Sequence, residues 1–226
     1  MKTKIQIAAL GTVAALLLAG ASAAQAQVKI TEVSAWGSGN SPYATDWFEL
    51  TNTGTSAVNL TGWQMDDSSN GTGKVAMVGI SSIAAGESVI FTETAAKASF
   101  LSTWFGSNAP ANLQIGTYTG AGVGLSTSGD AVNVYNATGA LQANVIFGNS
   151  PSGPYATFDN AAGLTGNISQ LSVAGVNGAF AAVNDPSEIG SPGTIAAAVP
   201  EPASYALILA GLMVVGSVSR RRNGKA

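Results

Sequence analysis

The sequence predicts an all-β sandwich with one short inserted helix. Three observations lead there. Apolar and polar residues alternate along Trp47 to Asn52 and again along Leu141 to Phe147, the period of a half-buried strand. Turn residues separate runs of this kind, at Gly54, Asn70-Gly71, Asn136 to Gly139 and Asn177-Gly178. Between the two apolar ends of the chain, only Ala95 to Phe105 has apolar residues at three- and four-residue intervals.

Composition narrows the chemistry. The 226 residues contain neither Cys nor His. A disulfide framework and thiolate chemistry are excluded. So are the usual general base and zinc ligand, and every Ser-His-Asp arrangement. Between Gln27 and Pro202 the only basic residues are Lys29, Lys74 and Lys97, against all 12 acidic ones, which leaves a net charge of −9. A nucleic-acid surface needs Lys and Arg to replace counterions, so nucleic acid is not an expected partner.

The elements follow in order. Residues 1–26 read as a secretory signal peptide: Lys2 and Lys4, an apolar stretch from Ile5 to Ala19, and a small-x-small cleavage site at Ala24 and Ala26. Residues 27–195 form the sandwich. Val28 to Ser34 is its first strand, with an ambiguous buried face. A Gly/Ser loop then carries Trp36 and Tyr43, read either as a sugar-stacking platform or as rings folded back to cap the sandwich edge. The stretch from Asp46 to Trp63 reads as strand, turn at Gly54, and second strand through Val58 and Leu60, with Trp63 buried at its end. Phe48, Leu50 and Asn52 share one face of the first strand, and Trp47, Glu49 and Thr51 the other.

Asp66 to Gly73 places Asp66, Ser68, Asn70 and Gly71 where a calcium loop would, but Met77 stands where an EF-hand needs a bidentate Glu. A hairpin turn on Asn70-Gly71 is the better reading, with Asp66 and Asp67 left as weak calcium candidates. Lys74 to Ile80 and Ser88 to Glu93 are strands. The helix at Ala95 to Phe105 is expected to lie across an open end of the sandwich, capped by Thr94 and Gly106, with Ala98, Leu101, Trp104 and Phe105 inward. Asn112 to Tyr118 and Leu141 to Phe147 are strands, the last with Leu141, Ala143, Val145 and Phe147 inward, and Leu125 to Tyr135 is a corner with the strand that follows it. Asp130 is expected to accept backbone N–H groups at a corner. Pro151 to Gly166 is a loop, and Ser169 to Val173 and Ala179 to Val183 form a final hairpin.

Several of these stretches resemble the lamin tail domain. The residues are Asp46-Trp47-Phe48-Glu49-Leu50 with Asn52, then Leu60, Gly62 and Trp63, the turn Ile83 to Glu87, the corner Gly129-Asp130, and the close Pro192-Gly193. The resemblance implies an immunoglobulin-like β-sandwich in which these positions are structural. It implies neither a ligand nor a catalytic residue.

The C-terminal end resembles a PEP-CTERM sorting signal. Val199-Pro200-Glu201-Pro202 closes a linker at residues 196–202. An uncharged apolar run at 203–219 follows, then a basic cytoplasmic tail at 220–226 headed by Arg220, Arg221 and Arg222. About 17 residues at 1.5 Å each span roughly 26 Å, just enough for a thin bilayer. The basic end keeps the sandwich outside the cytoplasm. The resemblance implies an exosortase as partner, passage through the inner membrane, and a cell-surface or extracellular destination in a Gram-negative host.

The expected function is a non-catalytic surface or matrix protein with exopolysaccharide or other surface components as partners, needing no cofactor. Two alternatives remain at this stage. One is a carboxylate-dependent hydrolase using Glu49, Asp66, Asp67 and Asp130. The other is an adhesin that depends on weakly bound calcium.

Overall fold

The computed structural model describes residues 28–68, 73–120 and 123–194. Their elements are β1 (Val28–Ser34), α1 (Gly37–Asn40), β2 (Trp47–Asn52), β3 (Val58–Asn59), β4 (Gln64–Asp66), β5 (Val75–Val78), β6 (Ser82–Ile83), β7 (Ser88–Thr92), α2 (Lys97–Phe105), β8 (Ile115–Tyr118), β9 (Asp130–Tyr135), β10 (Leu141–Phe147), β11 (Tyr155–Ala156), β12 (Phe158–Asp159), β13 (Gly166–Ile168), β14 (Phe180–Ala182) and β15 (Asp185–Gly190). The expected signal peptide, the Pro-Glu-Pro linker, the membrane run and the basic tail lie outside the described residues. Among the described residues no helix is long and apolar enough to cross a membrane.

One strip of strands, in the order β12-β1-β2-β7-β8-β5-β4-β9-β10-β13, folds over on itself. β5 is the corner. Its first two residues pair with β4 (Met65↔Val75, Gln64↔Ala76) and its last two with β8 (Met77↔Tyr118, Val78↔Thr117). The two halves close on a core that includes Ile30, Val33, Phe48, Leu50, Trp63, Met65, Phe91, Tyr118, Val132, Val134 and Val145. Phe48 lies between Phe91 and Tyr118, with ring centroids 5.8 and 5.3 Å away. This interior is the apolar face that the alternation pattern predicts.

A second apolar cluster lies on the outer side of β2 and β7. Trp36, Tyr43, Trp47, Ile90, Phe100, Trp104 and Leu113 belong to it. Trp47 meets Phe100 and Trp104 edge-on, with centroids 5.5 and 5.8 Å away. The helix α2 and the small sheet β11-β15-β14 cover it. Every residue of β2 is therefore buried, although only half of them face the main core.

Several sequence expectations change here. The segment from Asp46 to Trp63 is not a hairpin. β2 pairs with β1 and β7, whereas β3 pairs with β6. The local signal showed two strands and a turn, but partners are chosen by burial on both faces of β2. Asn52 supports the turn: its amide donates to the carbonyls of Ser56, Ile83 and Ala84 at 2.8 to 3.1 Å, and its Oδ1 accepts Gly54 N–H. Gly62 has φ +77°, and a Cβ there would come within 3.1 Å of Ala137 Cβ, so the turn into Trp63 requires glycine.

The ambiguous face of β1 has a cause. Its register with β2 shifts between Ile30 and Glu32, a bulge at Thr31. Val28 and Ile30 therefore share the inner side with Val33. A second bulge, between Leu141 and Ala143, turns Leu141 outward, to 53% exposure, while Ala143, Val145 and Phe147 stay inward.

The helix covers a sheet face rather than an open end. It starts after Ala96, without a side-chain cap from Thr94, and closes at Gly106, whose N–H donates to Ser102 O. Its buried residues are Phe100, Thr103 and Trp104, whereas Ala98 is exposed. Residues 151–166 are not simply a loop. They contain β11 and β12, and β12 extends β1 with Val33↔Phe158 and Glu32↔Asp159. Of the expected final hairpin, only β14 is a strand, and its partner is β15.

Candidate functional site

The acidic residues come first, because any carboxylate chemistry would rest on them. Glu32 and Glu49 are direct neighbours across β1 and β2. Both are buried on the outer side of the sheet. The segment 191–194, far along the chain, lies over them. Ser191 N–H donates to Glu32 Oε1 at 2.7 Å, Ser191 Oγ–H to Oε2 at 3.2 Å, and Thr157 Oγ–H to Oε1 at 2.5 Å. Glu49 Oε2 accepts Gly193 N–H at 2.7 Å, and Oε1 accepts Thr31 Oγ–H at 2.6 Å. Hydroxyls of Thr51 and Ser88 continue the network, and Ser88 donates to Thr194 O.

Gly193 has φ +74°, and a Cβ there would stand 2.9 Å from Leu113 Cδ1. The Pro192-Gly193 close is thus fitted to the carboxylate pair on one side and to the aromatic layer on the other. Burial pushes the Glu32 carboxyl up to about 7, with the Asp159 charge adding to it, and burial together with the Glu32 charge pushes Glu49 well above the usual range. Two adjacent carboxylates with raised pKa values look like an acid/base pair, but residues 191–193 cover them and both side chains are buried. Their perturbation is structural.

Asp46 and Glu188 follow the same logic. Asp46 accepts from Ser38 N–H at 2.8 Å and Ser38 Oγ–H at 3.2 Å, and burial raises it to about 6. Glu188 Oε2 accepts from Tyr43 OH at 2.9 Å, and burial raises it to about 7. Tyr43 also accepts Trp47 Nε1–H at 3.1 Å, and Trp36 Nε1–H points to Ala156 O at 3.4 Å. Trp36 and Tyr43 are both buried, so neither ring offers a face to a sugar.

The other half of the sandwich carries Asp66 and Asp130. Asp130 binds the backbone N–H groups of Ser126, Ala131 and Ser68 at 2.8 to 3.0 Å, the corner duty its sequence context predicts. Asp66 Oδ1 accepts from Asn133 Nδ2 at 2.8 Å, and Tyr135 OH lies 3.4 Å from both its oxygens. Asn133 Nδ2 donates also to Asp67 O at 2.7 Å. Among the described residues no three acidic side chains come together as a metal-binding cluster. The four carboxylates considered for hydrolysis do not converge. Glu49 sits on the covered face of one half, while Asp66, Asp67 and Asp130 belong to the other.

Beside Asp130 lies an open groove of about 570 Å³, on the outer face of β9 and β10. Ser68, Asp130, Asn133, Asn144, Leu141 and Ile146 line it. Of its lining, the sequence had pointed to Ser68, as part of a calcium-loop pattern, to the corner Gly129-Asp130, and to Leu141 as an inward residue. Glu32, Glu188, Asn133 and Asn144 went unnoticed. An acidic residue inside an apolar strand, as in Val28 to Ser34, was the available signal for Glu32. Nothing local marked the two asparagines.

A two-layer β-sandwich whose buried acids are tied into its own closure is an immunoglobulin-like module. The Lamin Tail Domain family model matches residues 21–148, more than half of the chain, and the chain belongs to that family. No curated protein matches the chain. The matched region ends after β10; it contains α2, whereas residues 191–193 over Glu32 and Glu49 and the sheet β11-β15-β14 come from sequence beyond it.

Proposed function

We propose that this protein is an exported, non-catalytic surface or extracellular-matrix module. An exosortase sorts it through its tail, and it binds exopolysaccharide or other surface components. The observation that carries the non-catalytic part is the fate of its carboxylates. Glu32 and Glu49 are roofed by residues 191–193, and Asp130 is held by three backbone N–H groups. None is left as a solvent-facing acid/base pair.

Export and sorting rest on the two ends of the sequence. Lys2, Lys4 and the Ala24/Ala26 cleavage pattern support secretion. Val199 to Pro202, the apolar run and Arg220 to Arg222 support recognition by a membrane transpeptidase. The prolines suit this, because they hold the motif extended and outside the helix. The test is the intact mass of the protein recovered from its host, fraction by fraction. A form running from Gln27 to near Pro202 outside the inner membrane is expected. A form that keeps Arg220 to Arg222 in the membrane would end the sorting reading and leave a tethered module.

A further inference from the structure

The groove on β9 and β10 has a donor–acceptor pattern that its own hydrogen bonds fix. Asp66 Oδ1 and Asp67 O can only accept, so both Asn133 amide hydrogens point to them. Asn133 Oδ1 is then an acceptor, and Asn144 Nδ2 donates to it at 2.5 Å. This settles which way the Asn144 amide faces, a point that an isolated asparagine leaves open. One N–H and the Oδ1 of Asn144 remain without a protein partner among the described residues. They stand side by side, a donor and an acceptor held still, in an open groove.

The flanks are aliphatic. Leu141 and Ile146 are 53% and 45% exposed and line the same groove as Asn144. Ser68, exposed at the rim, has a hydroxyl with no protein partner among the described residues. The local charge is negative: Asp130 lines the groove, and Asp66 and Asp67 anchor the ladder behind it. Among the described residues no cationic side chain lines it, and the Lys74 ammonium stands 3.8 Å over the Tyr135 ring.

We propose that this groove binds a neutral oligosaccharide segment. Asn144 would take two neighbouring hydroxyls, one as donor and one as acceptor, while Leu141 and Ile146 cover the C–H face of the ring. A hydroxyl both donates and accepts, so a diol satisfies the fixed amide fully, whereas a carboxylate or phosphate would meet Asp130. The proposal names the ligand class within the surface-module reading and rests on it for biological context only.

Affinity electrophoresis of the full chain through gels containing dextran, galactomannan or hydroxyethylcellulose tests it, with alginate and chitosan as charged controls. Retardation by at least one neutral polymer is expected, unchanged by 0.5 M NaCl (roughly a 4 Å screening length). Asn144→Leu and Ile146→Asn should each weaken it about ten-fold or more; Ile146→Asn should leave the melting temperature unchanged, whereas Asn144→Leu also takes the donor from buried Asn133 Oδ1 and should lower it without preventing folding. Two substitutions at separate positions keep the test open if one of them misfolds. Retardation that survives both changes, or that appears only with alginate or chitosan, would overturn the proposal. So would an absence of retardation by all three neutral polymers. Intact-mass data on sorting stand apart from this readout, so either reading can fail while the other holds.

Discussion

Replacing Glu32 by Gln should stabilise the protein at pH 8 and change little at pH 4. Glu32 is fully buried beside Glu49, and its carboxyl is raised to about 7. A raised folded-state value means that the folded protein holds this proton more tightly than the unfolded chain. The stabilisation is complete below the unfolded value near 4.5 and is lost as pH rises through about 7. A shift of this size corresponds to roughly 3 kcal/mol at most, and part of it is shared with Glu49 because the pair titrates as a unit. Gln keeps an oxygen for Ser191 N–H and Thr157 Oγ–H and carries no charge. The variant should therefore gain about 1–3 kcal/mol over the native protein at pH 8 and nothing at pH 4. Urea unfolding followed by tryptophan fluorescence reads this, since all four tryptophans are buried. A variant that loses the same stability at both pH values would refute the reasoning. It would mean that the ionised carboxylate's hydrogen bonds outweigh its desolvation.

Other consequences follow from the same packing. Asn52→Ala removes the amide that ties Ser56, Ile83 and Ala84 to β2, and should cost about 2–3 kcal/mol in denaturant unfolding. Gly193→Ala forces a left-handed residue against Leu113 and loosens the segment over Glu49. A loss of about 1–2 kcal/mol is expected, together with faster amide exchange at Ser191 and Gly193. A chain ended at Gly148 keeps the whole family-matched region and α2 but loses residues 191–193 over Glu32 and Glu49 and the Phe180 ring against Trp104. It should lack a cooperative thermal transition, and a native-like one would show that the outer layer is dispensable.

How much of this was readable in the sequence depends on the range of each interaction. Strand alternation found β1, β2, β9 and β10, because side-chain direction along a strand is a local property. The two bulges broke the pattern where they occur: Leu141 faces outward although its spacing from Ala143 says inward. The Asp130 corner was readable because two of its three partners, Ser126 and Ala131, are within four residues of it in the chain. The helix was found in nearly the right place, but the face it buries was shifted. It packs on Trp47 from the side, through Phe100 and Trp104, and nothing in its own nine residues states that.

The sequence by itself determined the class of fold, several of its turns, the absence of His and Cys side chains, and the acidic charge of the body of the chain. It also carries the two terminal patterns on which the export and sorting proposal rests. Only the tertiary structure decided that Glu32 and Glu49 stand side by side under Ser191 and Gly193, and that Asn133 aims Asn144 into a groove. Those contacts join residues separated by up to 159 positions. Such pairings depend on which strand edges and faces remain to be buried once the others have met, and no local window of sequence contains that information.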